Sequence, residues 1–107
     1  MKVLHLTLKK KWFDMILSGE KREEYRDLSD YWWKRLTKGG YTHIKFVNGY
    51  GNHRPWMLVE WLADPIHGCR QMFGVGHPEW GGDISKTVFI LKLGKVIDRG
   101  NIEGDNK

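Results

Sequence analysis

The chain has 107 residues and a formal net charge of +5, and 40% of its residues are hydrophobic. This length supports one hydrophobic core but not two, so we expect the 107 residues to form one domain. The basic balance favours a polyanionic partner such as nucleic acid, although a small basic domain that binds nothing anionic has the same composition. We predict a single domain over residues 1–100, followed by a flexible polar tail over residues 101–107.

The cysteine count and the hydropathy pattern indicate the compartment. The single cysteine, Cys69, excludes an intrachain disulfide and suits a reducing environment. Residues 1–8 alternate in polarity and lack the continuous apolar stretch of a signal peptide. No run approaches the ~18 apolar residues that a membrane span requires. We therefore expect a cytoplasmic protein with no membrane partner.

The beginning of the chain predicts a strand, a helix and a second strand. Alternating polarity over residues 3–8 indicates the opening strand, although Leu4 interrupts the pattern. Apolar residues then recur at three- and four-residue steps over residues 9–18, which predicts the first helix. Gly19 stands where a helix stop is expected. Residues 21–26 have no helical stripe and predict a short polar strand.

A second helix and a third strand follow. Asp27 or Ser29 is predicted to cap a helix whose apolar residues run from Leu28 to Leu36. Ile44 and Phe46 alternate with His43, Lys45 and Val47, which indicates the next strand.

Three further segments complete the predicted sheet. Residues 56–63 are almost continuously apolar, as expected of a strand covered on both faces. Residues 64–83 are rich in glycine and have no period, which predicts a long loop with a turn of helix. An apolar strand returns over residues 86–93, and residues 96–97 add an edge. Two helices between strands, followed by three strands in a row, predict an α+β fold with a mixed sheet that curls into a small barrel.

The most specific pattern follows the first helix. Gly19, Lys21, Glu24 and Arg26 stand in the arrangement GxKxxExR. This motif resembles the signature of the ASCH family, which belongs to the PUA-like superfamily. The resemblance covers the opening strand, the first helix and the motif; beyond Arg26 it is one of element order. It implies a small PUA-like mixed β-barrel with flanking helices, and a ligand cleft lined by the motif, in a superfamily that often handles RNA.

The motif also has a physical interpretation. Gly19 can adopt the left-handed conformation that ends a helix and reverses the chain, so that Lys21 is presented at a turn. The period of two along a strand places Glu24 and Arg26 on one face, with Lys21 opposite unless a bulge or the turn redirects it. Glu24 and Arg26 are then able to pair with each other or to hold Lys21. The alternative is that these residues are ordinary solvated charges.

The resemblance implies a hydrolase as a second interpretation. One branch, the small acetylcytidine amidohydrolases, uses the motif lysine, a threonine at the position of Glu24 and a glutamate from a later segment. This chain has Glu24 in place of that threonine, and Glu79 is its only glutamate in the corresponding loop. Some ASCH proteins also resemble ribonucleases that involve the lysine. The candidate catalytic residues are therefore Lys21, Glu24 and Glu79, with Lys21 acting as a base if burial lowers its pKa.

Residues outside the motif extend the candidate site. Tyr50 and Trp80 lie in glycine-rich segments, where a ring can stack on a base. Glu60 interrupts an apolar segment, so it either faces water at a strand edge or pairs with Arg26 or Lys21. Four other tryptophans, Trp12, Trp32, Trp56 and Trp61, lie on predicted apolar faces and are assigned to the core. The predicted ligand-binding residues are Gly19, Lys21, Arg22, Glu24, Arg26, Lys45, Tyr50, Glu60 and Trp80.

Cofactor patterns are weak. His67, Cys69 and His77 are metal-ligand types, but the PCxxC pair of zinc deaminases is lacking, so we predict no metal and no cofactor. The short glycine pairs over residues 49–51 and 74–76 lack GxGxxG spacing and are interpreted as turns. The sequence thus predicts an ASCH-like domain that binds single-stranded RNA or a modified nucleoside. The alternatives are a metal-independent hydrolase, of the ribonuclease or N4-acetylcytidine amidohydrolase type, and a protein-interaction module.

Overall fold

The computed structural model describes residues 1–102. Within this range the strands are β1 (Val3–Leu8), β2 (Glu23–Asp27), β3 (His43–Asn48), β4 (Trp56–Trp61), β5 (Gln71–Gly74) and β6 (Val88–Gly100). The helices are α1 (Lys10–Leu17) and α2 (Asp30–Leu36), and a short 3-10 helix spans Pro78–Trp80. Residues 103–107 of the predicted tail lie outside the described range. Ile102, in the same predicted tail, packs against the core.

The strands form one mixed sheet. Their order is β1-β3-β4-β6-β2, and β5 pairs with the edge of β6 opposite β2. β1 runs parallel to β3, and the other pairs are antiparallel. The sheet curls into a half-barrel, and the ends of its strand order, β1 and β2, are the two sides of the opening. The predicted α+β fold with a curled, mixed sheet is confirmed.

The hydrophobic core lies inside the curl. Buried side chains alternate with exposed or half-buried ones along β1, β3 and β4, as the strand period of two requires. α1 contributes Phe13 and Ile16, and α2 contributes Leu36. Among residues 1–102, no helix is long and apolar enough to cross a bilayer. The buried side chains of both helices belong to the same core cluster as those of the strands.

Three strand predictions need correction. The prediction that residues 56–63 are covered on both faces is wrong, because β4 buries alternate residues and leaves Trp56, Leu58 and Glu60 half-exposed. The predicted separate strands at residues 86–93 and 96–97 are one continuous strand, whose register against β4 is irregular. The turn of helix predicted within residues 64–83 is present, but β5 was not predicted. Its four residues are mostly half-exposed, so they show no alternation.

Candidate functional site

The turn after α1 determines where Lys21 lies. Gly19 has a φ of +87°, the left-handed conformation predicted for it. Its N–H donates to the carbonyl of Ile16 at 3.0 Å, and the N–H of Lys21 donates to the carbonyl of Met15 at 2.9 Å. These bonds satisfy carbonyls that the helix end leaves open. The predicted strand over residues 21–26 therefore begins later, at Glu23, and strand alternation does not fix the direction of Lys21.

The ammonium group of Lys21 is enclosed by protein. The residue is 2% exposed, and Nζ donates to the carbonyl of Trp80 and lies 3.3 Å from Oε1 of Glu24. It also lies over two aromatic rings, 5.0 Å from the Trp12 centroid and 4.8 Å from the Tyr25 centroid. Burial lowers the pKa of Lys21, and the Glu24 carboxylate opposes this shift. The carboxylate and the two ring faces favour the charged ammonium.

Glu24 links Lys21 to Arg26. Its Oε2 lies 2.5 Å from Nη1 of Arg26, so the carboxylate bridges two cations. Arg26 also donates to the carbonyl of Tyr25 at 3.0 Å and, through Nη2, to the carbonyl of Thr7 on β1 at 3.3 Å. The sequence offered two arrangements, an ion pair between Glu24 and Arg26 and a contact that holds Lys21. Both are present in the structure. Arg26 additionally joins β2 to β1 across the opening of the half-barrel.

A cleft opens along this seam between β1 and β2. Its volume is about 610 Å³, within the usual range for small-molecule sites. β1, β2, both helices and two loops contribute to its walls. The aromatic residues of the lining are Trp12, Tyr25, Tyr31, Trp32, Tyr50 and Trp80, and the charged ones are Lys9, Glu24, Arg26 and Arg35. The cleft thus combines ring surfaces with fixed charges.

Helix α2 supplies a wall that the sequence interpretation missed. The Trp32 ring lies 5.1 Å from the guanidinium carbon of Arg26 and 5.3 Å from that of Arg35. Arg35 also donates to the hydroxyl of Tyr31 at 3.1 Å and to the carbonyl of His5. Trp32 had been assigned to the core; it packs against the core and also lines the cleft. The spacing of Tyr31 and Arg35, four residues apart on one helix face, was the available signal.

The loop that carries Trp80 is fastened to β2. The hydroxyl of Tyr25 accepts the N–H of His77 at 2.9 Å and donates to Oε1 of Glu23 at 2.9 Å. Gly76 and Gly82 cross in close contact, and a Cβ added to Gly82 would lie 2.2 Å from the Gly76 carbonyl carbon. Only glycine fits this crossing, so the loop position depends on it.

Glu23 is a second buried carboxylate, and the sequence analysis did not single it out. It is 4% exposed and accepts hydrogen bonds from Lys92 and from the hydroxyl of Tyr25. Burial acts to raise the pKa of Glu23, but the bonds from Lys92 and Tyr25 outweigh it and hold the pKa below its usual value. Burial raises the pKa of the Tyr25 hydroxyl, so Tyr25 remains a donor to Glu23.

Three predicted ligand-binding residues, Gly19, Arg22 and Glu60, face a different cavity. Gly19 and Arg22 line a space of about 720 Å³ that also contacts Lys21 and Glu60. The alternative that Glu60 pairs with Lys21 or Arg26 is wrong. Instead its Oε1 accepts the N–H of Lys95 at 2.9 Å, at the register irregularity of β6. Its carboxylate therefore satisfies a donor that the sheet leaves unpaired.

Three other candidates separate in the same way. Tyr50 lines the cleft and is 83% exposed. Lys45 lies outside the cleft, with its ammonium 4.7 Å from the Trp56 ring centroid. Glu79 also lies outside it; its side chain is 64% exposed and is 3.6 Å from Nδ1 of His77. The structure thus brings Glu24, Arg26, Tyr50 and Trp80 to one cleft, with Lys21 bonded to Glu24 and to the Trp80 carbonyl behind its lining, and leaves Lys45 and Glu79 away from it.

The predicted metal-ligand types are dispersed. His67 lies beside Asp64, and Cys69 is exposed. Residues 1–102 contain no group of three His, Cys, Asp or Glu side chains arranged to hold a metal ion. No family model, curated protein or solved structure matches the chain. The ASCH resemblance therefore stays a prediction, and the function is argued from the geometry of the cleft.

Proposed function

We propose that the protein binds a base-bearing ligand, single-stranded RNA or a modified nucleoside, in the cleft between β1 and β2. The observation that carries this proposal is the position of the Glu24–Arg26 pair within an aromatic lining. Unpaired bases are recognised by stacking on rings together with hydrogen bonds to their polar edges. The cleft offers both kinds of contact, and the ASCH resemblance implies the same ligand class.

The pair retains hydrogen-bonding capacity. A carboxylate accepts about four hydrogen bonds and a guanidinium donates five. Glu24 has two cationic partners, and Arg26 donates three hydrogen bonds to protein acceptors. Glu24 is thus able to accept from an exocyclic amino group while Arg26 donates to a ring nitrogen or carbonyl of the same base.

Lys21 supports this site from behind. Its enclosed Nζ bonds both Glu24, which reads the base edge, and the carbonyl of Trp80, whose ring lines the wall. We assign Lys21 a positioning role, because it holds the polar contact and the stacking surface in fixed relation. Trp80 and Tyr50 then supply ring surface for the base.

A titration tests the proposal. Tryptophan fluorescence and NMR shifts are followed with cytidine, N4-acetylcytidine, a short single-stranded RNA and the matched DNA. Glu24→Gln should weaken binding, because the amide replaces one acceptor by a donor. Glu79→Gln is the matched control and should retain affinity, since Glu79 lies outside the cleft. Absence of shifts at cleft residues with all four ligands would contradict the proposal and favour the protein-interaction module.

A hydrolase is the second candidate, because burial lowers the pKa of Lys21 and a carboxylate lies 3.3 Å from its Nζ. A lysine in its neutral form is able to act as a base. The test is turnover of N4-acetylcytidine or RNA without added metal. Lys21→Ala should abolish turnover while the variant remains folded by circular dichroism. Activity retained in that variant, or lost to a chelator, would rule out the lysine mechanism.

A further inference from the structure

The charges along the cleft are unbalanced. Lys9, Arg26 and Arg35 contribute cationic side chains, and Glu24 is the sole carboxylate among the described lining residues. Glu24 already faces Lys21 and Arg26. It therefore does not neutralise Lys9 or Arg35. Excess positive charge within a cleft concentrates anions there.

Arg35 has the features of an anion-binding group. No carboxylate within residues 1–102 lies in ion-pair distance of it. Its guanidinium is half-buried and held by Trp32, Tyr31 and the carbonyl of His5. Two of its five N–H groups are used in these hydrogen bonds, so three are left for a ligand. A fixed guanidinium fork matches the geometry of a phosphate.

The spacing of the Arg26 and Arg35 sites along β1 can be compared with the spacing of base and phosphate in a nucleotide. Arg26 bonds the carbonyl of Thr7, and Arg35 bonds that of His5, two residues earlier on β1. Carbonyls two residues apart in a strand point to the same side and lie roughly 7 Å apart. The two guanidinium groups thus bond carbonyls on the same side of β1: Arg26, which also pairs with Glu24, bonds one, and Arg35 bonds another that lies roughly 7 Å away. This separation is comparable to that between the base and the phosphate of one nucleotide.

Building on the proposed function, we infer that Arg35 forms a phosphate subsite, so that the ligand is a nucleotide rather than an uncharged nucleoside. The phosphate belongs either to a free nucleotide or to one nucleotide of a single-stranded RNA. In both cases the base lies against Glu24 and Arg26 and the phosphate lies against Arg35. Lys9, which directly follows β1, adds to the positive field.

Calorimetric titrations of the full chain test the subsite. The probes are cytidine, its 5′- and 3′-monophosphates, a trinucleotide and inorganic phosphate. The folded wild-type protein should bind at least one monophosphate about tenfold more tightly than cytidine, as expected for charge-assisted hydrogen bonds. Arg35→Gln should remove that preference, because it removes the guanidinium that bonds the phosphate. For the trinucleotide it should lower the dependence of log K on log salt by about one.

Lys34→Gln is the matched control, because Lys34 is an exposed residue of α2 outside the cleft lining and the charge change is the same. It should keep the tenfold preference. If Arg35→Gln does not fold, Arg35→Lys replaces it and should reduce the preference, because it removes the fork. If the trinucleotide binds more tightly than the monophosphates, the phosphate comes from a single-stranded RNA. If the two bind equally tightly, it comes from a free nucleotide.

Two results would overturn the subsite alone: equal affinity for cytidine and both monophosphates, or a preference that survives loss of the Arg35 guanidinium. Inorganic phosphate binding as tightly as the monophosphates would also overturn it, because the phosphate would then not belong to a base-bearing ligand. Failure of every probe, cytidine included, would instead contradict the proposed function itself.

Discussion

Replacing Lys21 by Met tests the centre of the site most directly. The substitution keeps a long, flexible side chain but removes the ammonium. Glu24 then loses a partner at 3.3 Å, the carbonyl of Trp80 loses its donor, and two aromatic rings lose a cation. The change therefore reaches β2, α1 and the loop at once, although it adds no bulk.

The loss of folding stability in Lys21→Met depends on the partner that Glu24 keeps. Removing one partner of a buried ion pair typically costs about 3–5 kcal/mol, because the other charge is left uncompensated. Glu24 keeps Arg26 at 2.5 Å, so we expect a loss at the lower end, about 3 kcal/mol. At about 4 °C per kcal/mol for a domain of this size, the melting temperature should fall by about 12 °C.

Urea and thermal unfolding at pH 7 measure this loss. Lys45→Met is the control, because Lys45 contacts the Trp56 ring and has no carboxylate partner within residues 1–102. This substitution should cost no more than about 1 kcal/mol. The double variant with Glu24→Gln should lose less than the sum of the two single losses, since the two side chains interact. If the Lys21 variant matches the wild-type protein in stability, the buried ion pair does not stabilise the fold, and the positioning role fails with it.

Four further predictions concern the surroundings of Lys21. Single Ala variants of Glu24 and Arg26 should weaken ligand binding, with the double variant no worse than additive; full affinity in both single variants would make them ordinary surface charges. Trp80→Ala should weaken RNA binding by about 1–3 kcal/mol with little change in salt dependence, in titrations at two salt concentrations. The pKa of Glu23 in the folded protein lies below its usual 4.5, so the charged carboxylate stabilises the fold above pH 4.5. This stabilisation is lost as the pH falls through the folded-state pKa. The stability of Glu23→Gln should therefore depend less on pH in acid unfolding curves. Gly82→Ala should speed hydrogen exchange around Trp80 without unfolding the sheet.

Local chemistry made part of the site predictable. A glycine in left-handed conformation ends α1 where the sequence places it. The period of two then puts Glu24 and Arg26 on the same side of β2, and they pair. Lys21 joins them because the turn, which lies outside the strand, sets its direction, the exception that the sequence analysis allowed. Each of these features depends on neighbours within a few residues.

The features that were missed depend on distant contacts. Arg35 lines the cleft because α2 packs close to β1, 30 residues away in sequence. Glu23 is buried because Lys92 and the hydroxyl of Tyr25 compensate its charge, and Lys92 lies 69 residues along the chain. The periodicity of a single segment carries no information about such partners. Glu60 was similarly ambiguous, because its partner is a backbone N–H exposed by an irregular register.

The late position of β6 in the sequence has a consequence for folding during synthesis. β2, which contributes Glu24, Tyr25 and Arg26 to the cleft lining, pairs with β6 alone among the described strands, and Glu23 bonds Lys92, 69 residues later in the sequence. At about 5–20 residues per second, translation separates these partners by roughly 3–14 s. Throughout that interval the nascent chain has the motif but lacks β6, the strand with which β2 pairs. The proposed ligand site is therefore complete only after β6 has been made, and a chain that stalls before this strand lacks it.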